Sequence, residues 1–189
     1  MEGTQRQQQA KTLRQFRKIH RFTGALLFAF FFVIAVTGLL LGWKKNSGGY
    51  LLARSSQGTT TDLARWLPLD SLQRQAVRLL RDSVDARLAA DIDRIDVRPD
   101  KGMVKFTFAA HYTALQLDGA TGRLLQVEQR RADFIEHLHD GSYVDRLLNT
   151  PGGLFKLLYT TVMGLALLVF TITGFWLWYG PKRMRRAGE

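Results

Sequence analysis

Apolar positions are not spread evenly along this chain but gather in two uninterrupted blocks. Phe22 to Trp43, FTGALLFAFFFVIAVTGLLLGW, holds 22 residues without a formal charge, and Leu157 to Gly180, LLYTTVMGLALLVFTITGFWLWYG, holds 24. At a rise of about 1.5 Å per residue, either block wound as a helix covers a hydrocarbon core of roughly 30 Å. Tyr159, Trp176, Trp178 and Tyr179 lie near the ends of the second block, where aromatic residues favour the lipid-water boundary. The pattern therefore predicts two transmembrane helices. The first is too long for the core of a secretion leader and no small-residue cleavage site follows it, so it reads as a retained anchor.

Between the blocks the pattern changes character. Gly48-Gly49 and the run SSQGTTT at 55–61 read as linker and turn material. Ser71 is a suitable N-cap for a helix through about Val84, because Leu72, Ala76, Leu79, Leu80 and Val84 share one face and Arg74, Arg78, Arg81 and Asp82 cover the other. Period-two alternation then predicts strands at Ile92 to Val97, at Val104, Phe106 and Phe108, and at Leu115 and Leu117. The Asp118-Gly119 and Thr121-Gly122 pairs offer positive-φ positions for a hairpin turn into a further strand ending near Val127. A helix covering one face of a small antiparallel sheet is the economical assembly.

These signals divide the chain into a basic segment 1–21, a first span 22–43, a linker 44–67, an α+β domain 68–130, a histidine-containing segment 131–156, a second span 157–180 and a basic tail 181–189. The fold class expected is an α+β membrane protein, with two transmembrane helices flanking one extracytoplasmic domain.

Composition modifies this picture in two ways. A mean hydropathy of -0.10 would pass for an ordinary soluble protein, since the polar middle offsets the two blocks. The formal charge of +11 might suggest nucleic acid, but ten of the 27 basic residues flank the blocks, among them Arg14, Arg17, Lys18, Arg21, Lys182 and Arg183. Basic flanks of this kind anchor a span against anionic lipid, so lipid and not nucleic acid is the expected partner. The terminal segments hold only two acids, whereas the 17 basic residues from Lys44 to Lys156 are interspersed with 14 acids. Both termini are therefore expected in the cytoplasm, with Lys44 and Lys45 arguing locally the other way. Arg94, Arg98, Lys101 and Lys105 alternate with acids and read as a solvated face. Cysteine is absent, which excludes disulfides, thiolate metal sites and covalent haem attachment through paired cysteines.

The helix followed by short strands and closing in YTALQLDGATGRLLQV resembles a PepSY domain. KIHRFTGALLF, VTGLLLGW, EHLHDGSYVDRLLNTPGG and ITGFWLWYGPKR resemble motifs of the PepSY-associated transmembrane family, and together the resemblance covers about residues 12–186. It implies a bacterial inner-membrane protein with a periplasmic PepSY-like domain. Larger four-span members resemble haem proteins that reduce iron-siderophore complexes, so the resemblance implies haem b and electron transfer. With two spans, a four-helix bundle requires a homodimer or another membrane-protein partner.

Of the four histidines, His20, His137 and His139 lie near the span boundaries. Neutral imidazole ligates haem iron, and helix bundles build such sites from facing helices. His20 belongs to the cytoplasmic boundary and His139, or His137, to the other, so one chain cannot close both axial positions of one iron. In a symmetric dimer each would face its own copy, giving two haem sites. The competing reading is interfacial histidines bonded to headgroups or loop backbone, with His111 in a strand turn. His137 and His139, beside Glu136 and Asp140, are two apart and lack the i, i+4 histidine pairing of a zinc helix. No nucleophile elbow, phosphate loop or dinucleotide fingerprint is present, and no catalytic residue is assigned.

Small residues mark the helix faces. Gly24, Gly38 and Gly42 fall on the same stripe as His20, with Gly38 and Gly42 forming a G-x-x-x-G pair, and Thr160, Gly164 and Gly174 are the corresponding candidates on the second helix. Thr37-Gly38 and Thr173-Gly174 repeat near the exit of each span. Three functions follow: a dimeric b-type electron carrier, a non-catalytic module that binds or restrains a protein partner, or an accessory subunit of a transport complex.

Overall fold

The computed structural model describes residues 2–186, with side chains described for 7–183. The side chains of Arg6, Arg185 and Arg186, counted among the basic residues of the flanks, and that of the acid Glu2 lie outside the described residues, as does Glu189. The fold is α+β, with two long apolar helices and a four-stranded antiparallel sheet. The described residues form two compact units: 2–39 with 137–186, and 40–136.

The first unit is built on α1 (Glu2–Trp43) and α5 (Leu154–Arg186). Both outrun the apolar blocks: α1 carries the basic N-terminal residues in the same helix, and α5 continues through Pro181. Two helices here are long and apolar enough to cross a membrane, and 94% of their most apolar window is not buried by protein. Helices so exposed and so apolar are not core helices of a water-soluble domain. They pack antiparallel, with Phe16 against Trp176 (ring centroids 6.1 Å apart), His20 against Phe170 and Phe30 against Tyr159 (6.2 Å). Two short helices precede α5 in this unit's second segment: the end of α3 (Arg131–His139), and α4 (Ser142–Leu148).

The second unit holds α2 (Leu69–Ser83) and the sheet β1 (Ile92–Arg98), β2 (Met103–Phe108), β3 (Thr113–Asp118) and β4 (Leu124–Gln129), in the order β1-β2-β3-β4. The apolar stripe of α2 meets one face of the sheet, and Leu72, Ala76, Leu80, Val104, Phe106, Phe108, Leu115 and Leu117 form the core. Pairing aligns Phe106 with Leu115 and Leu115 with Val127, so alternate residues of neighbouring strands point into the same layer.

Four local expectations are corrected here. Pro68, not Ser71, is the N-cap of α2, with Ser71 already in its first turn; proline's fixed φ and missing N–H suit a helix entry. Only Gly122 takes positive φ in the β3–β4 turn (φ +69°), because Gly119 instead makes room for the Trp66 indole, which a Cβ would approach to 2.4 Å. The 55–61 run is not slack linker. The Ser56 amide donates to Gln116 Oε1 (2.8 Å), the Thr59 amide donates to Asp118 Oδ2 (2.9 Å), and this strand-like crossing covers the sheet's second face. Lys105 is not solvated either: its ammonium pairs with Glu128 at 2.7 Å, with the two side chains 13% and 3% exposed, and Gln116 Nε2 completes the carboxylate at 3.1 Å. Burial of a charge is tolerable when it is paired and its remaining lone pairs are used.

Candidate functional site

Antiparallel packing brings the N-terminal half of α1 beside the C-terminal half of α5. His20 on α1 thereby meets Thr173-Gly174 on α5. Its Nδ1 lies 3.0 Å from Thr173 Oγ1 and 3.2 Å from the Phe170 carbonyl, and its ring stacks on Phe170 at 3.9 Å between centroids. A Cβ on Gly174 would stand 3.2 Å from His20 Cε1, so the absence of a side chain there admits the imidazole.

The same grouping recurs with the helices exchanged. His139, at the end of α3, meets Thr37-Gly38 on α1: its Nδ1 lies 2.9 Å from Thr37 Oγ1, and a Cβ on Gly38 would stand 3.3 Å from its Cε1. Thr37 and Thr173 are both buried, at 7% and 3% exposure. Each Thr-Gly pair thus receives a histidine from elsewhere in the chain.

The threonines fix the imidazole tautomers. Thr37 Oγ1 donates to the Val33 carbonyl at 2.6 Å, and Thr173 Oγ1 to the Val169 carbonyl at 2.7 Å. A hydroxyl has one proton, so toward the imidazole each threonine can only accept. As neutral imidazoles both histidines then carry their proton on Nδ1, and for His20 the Phe170 carbonyl, an acceptor only, points the same way. Nε2 is left with its lone pair, and in neither histidine is it hydrogen-bonded within the described residues. An outer oxygen that orients the distal ring nitrogen is how proteins prepare imidazole as a metal ligand, so the donor chemistry of both residues fits axial ligation of haem iron.

The two histidines lie far apart. Thr37, the partner of His139, is 17 residues beyond His20 on α1, or about 25 Å along the axis. Within one chain they cannot share an iron.

Next to His139 the chain is held by a polar network. Asp140 Oδ2 pairs with Lys156 Nζ at 2.6 Å, and Asp140 Oδ1 accepts from the Ser142 amide (2.9 Å) and hydroxyl (2.6 Å). Burial pushes the Asp140 carboxyl up, but the bonds from Lys156 and Ser142 outweigh it and leave the pKa below the ordinary carboxylate value. The buried Asp145 carboxylate takes the Phe155 and Lys156 amides at 3.0 and 2.8 Å, capping the start of α5. Gly141 sits under the Tyr159 ring, with φ +79°.

A groove of about 820 Å³ runs between α1 and α5, lined by Gly24, Phe31, Met163, Gly164 and Phe170, with His139, Asp140 and Tyr159 among its walls. Its size falls in the range of small-molecule and cofactor sites, about 300–1,000 Å³.

The remaining sequence candidates are distributed as follows. His137 occupies the last turn of α3 and is half-buried. His111 braces a loop, with Nε2 3.0 Å from the Ala89 carbonyl and Nδ1 accepting from the Thr113 amide. Gly24 admits the Phe170 ring, which a Cβ would approach to 2.9 Å. Gly38 and Gly174 receive histidines and not a helix backbone, Gly42 and Gly164 border open space, and Thr160 lines the groove. Among the described residues no group of three or more His, Cys, Asp or Glu side chains could hold a metal ion. Thr37, Thr173, Asp140 and Asp145 were absent from the sequence-based site. The repeated Thr-Gly was the available signal, and its meaning depends on the antiparallel register.

Two exposed apolar helices joined through an α+β unit define a membrane protein. The chain belongs to the family of the PepSY-associated TM region, whose model matches residues 17–188. No curated protein and no solved structure matches it.

Proposed function

We propose that this membrane PepSY protein is a b-type haem protein of the bacterial inner membrane, in which α1 and α5 span the bilayer, both termini are cytoplasmic and the PepSY-like unit is periplasmic. The observation that carries the haem reading is the shared state of His20 and His139: each has Nδ1–H held by a buried threonine and Nε2 left with its lone pair. His20 and His139 would hold the iron, with His137 the lesser candidate. Thr173 and Thr37 orient the rings, and Gly174 and Gly38 give them room. A second copy would supply the other histidine to each iron, since the two histidines of one chain lie about 25 Å apart along α1. Haem, when bound, supplies a one-electron iron couple, the chemistry by which such a dimer carries electrons to a periplasmic acceptor such as a ferric siderophore. No flavin or nicotinamide fingerprint occurs in the chain, so the electrons are supplied by a separate donor.

The test is a reduced-minus-oxidised absorption spectrum of the detergent-purified protein, expressed with adequate haem, alongside His20→Ala and His139→Ala. A low-spin b-type signal that falls by about half in each variant is the expected result. A colourless wild-type protein would overturn the haem reading and leave a membrane-anchored module that acts by binding a partner.

A further inference from the structure

We infer that α4 is an interfacial helix, seated in the periplasmic headgroup layer of the bilayer with Tyr143, Leu147 and Leu148 toward the acyl chains. The inference rests on reading α1 and α5 as membrane spans, and two independent observations carry it.

The first is an apolar face that protein does not cover. Leu147 and Leu148 are 69% and 67% exposed and Tyr143 38%, although Asp145, which lies across the helix from Tyr143 and Leu147, is buried. A seven-residue helix that turns its carboxylate inward and its leucines outward is inverted for a helix facing water. The exposed face continues into Leu154, Leu157 and Leu158 at the start of α5, all at least 58% exposed, so α4 and the span present one apolar surface.

The second observation is the level at which α4 is held. His139, three residues before α4, bonds to Thr37, whereas the apolar run of α1 continues for six residues more, to Trp43, or about 9 Å along the axis. Gly141, the N-cap of α4, packs under Tyr159, the third residue of the second apolar run. Asp145 then fixes the other end, because its carboxylate holds the amides of Phe155 and Lys156 in the first turn of α5. The segment is thus tied at its start to the apolar runs of both long helices, through Thr37 and Tyr159, and at its end to the turn of α5 that immediately precedes the second run. If those helices cross the membrane, α4 lies at its boundary, level with the start of the second apolar run. A lipid layer is therefore the occupant of this face: amphipathic helices insert about 5–10 Å below the headgroups, with the polar side kept toward protein or water. The consequence is a fixed depth for His139, set by α4 on one side and by Thr37 on the other.

The chain has no cysteine, which makes single-cysteine spin labelling clean. Leu147→Cys and Leu148→Cys, in the full chain reconstituted in phosphatidylcholine-phosphatidylglycerol vesicles, would be compared with Leu168→Cys in the middle of α5 and with Arg87→Cys, whose side chain is 89% exposed in the second unit. Collision with oxygen against collision with a water-soluble nickel chelate gives depth. The expected result places 147 and 148 about 5–10 Å below the phosphates, between the aqueous reference and 168. If 147 and 148 collide with the chelate as freely as 87 does while 168 remains protected, the interfacial assignment is overturned and the spans stand. If 168 is also accessible to the chelate, the spanning reading itself has failed.

Discussion

Replacing Thr37 by valine keeps the shape of the side chain and removes the one group that accepts from His139 Nδ1–H at 2.9 Å. The equivalent change at Thr173 removes an acceptor 3.0 Å from His20 Nδ1 but leaves the Phe170 carbonyl at 3.2 Å to take the same proton. The two substitutions are alike in sequence and unequal in effect. A hydrogen bond of this kind contributes a net ~1 kcal/mol, and at 1.4 kcal/mol per factor of ten its loss moves the tautomer ratio by about fivefold. Thr37→Val should therefore shift His139 toward the Nε2–H form by about fivefold or more, and Thr173→Val should shift His20 by less. Thr37→Ser, which restores the hydroxyl, should restore the wild-type ratio. Long-range proton–nitrogen correlation spectra of histidine-labelled protein read this directly, because they distinguish the two neutral tautomers from each other and from imidazolium. Four histidines allow assignment by single substitution, and the measurement needs no bound cofactor. Nε2–H at His139 in the wild-type protein, or an equal response at His20 and His139, would refute the tautomer argument.

The second unit offers sharper stability tests. Lys105→Met leaves the Glu128 carboxylate buried without its cation and should cost about 3–5 kcal/mol in chemical denaturation, whereas Lys105→Met with Glu128→Leu should recover most of it. Gly58→Ala should lower the melting temperature of the second unit by several degrees, at a cost of about 2 kcal/mol or more, because its Cβ would stand 1.9 Å from the Gly102 carbonyl oxygen; Gly164→Ala, which borders open space, should leave the melting temperature nearly unchanged. Asp118 is fully buried; desolvation raises its carboxyl pKa, but bonds from Thr59, Ala120 and Thr121 outweigh this and hold it below 3.8. A depressed carboxylate pKa stabilises the fold above about pH 3.8, and that contribution disappears as pH falls through the folded value, so Asp118→Asn should flatten the acid limb of a stability–pH curve.

What was legible in the sequence was whatever a local stretch decides by itself. The apolar blocks need no partner to be recognised, and α2 and the four strands follow from periods of 3.6 and 2 that each segment carries alone. The misreadings share a different origin. SSQGTTT has the composition of a turn, and only partners about 60 residues away, Gln116 and Asp118, make it a cover for the sheet. Lys105 alternates with acids like a surface residue, yet β3 and β4 bring Gln116 and Glu128 beside it and close the face over it. Residue type singles out the histidines, but the Thr37-Gly38 and Thr173-Gly174 repeat does not by itself say which side chains those threonines hold. Linking Thr173 to His20 requires the register of two helices more than a hundred residues apart.

That register also explains why the grouping occurs twice. In an antiparallel pair, a Thr-Gly late in one apolar run and a Thr-Gly late in the other fall at opposite ends of the pair. Each faces whatever the chain supplies beside it: His20 from within α1, His139 from the end of α3. The equivalence is chemical and not covalent, since one histidine is part of a long helix and the other is held by the Asp140 and Asp145 network. His20 is consequently as rigid as α1, whereas the position of His139 depends on a short segment whose anchors are Thr37, Lys156 and the first amides of α5. Loss of Asp145 should therefore loosen His139 and leave His20 undisturbed, so a perturbation more than a hundred residues from Thr37 in sequence separates two sites that static geometry makes alike.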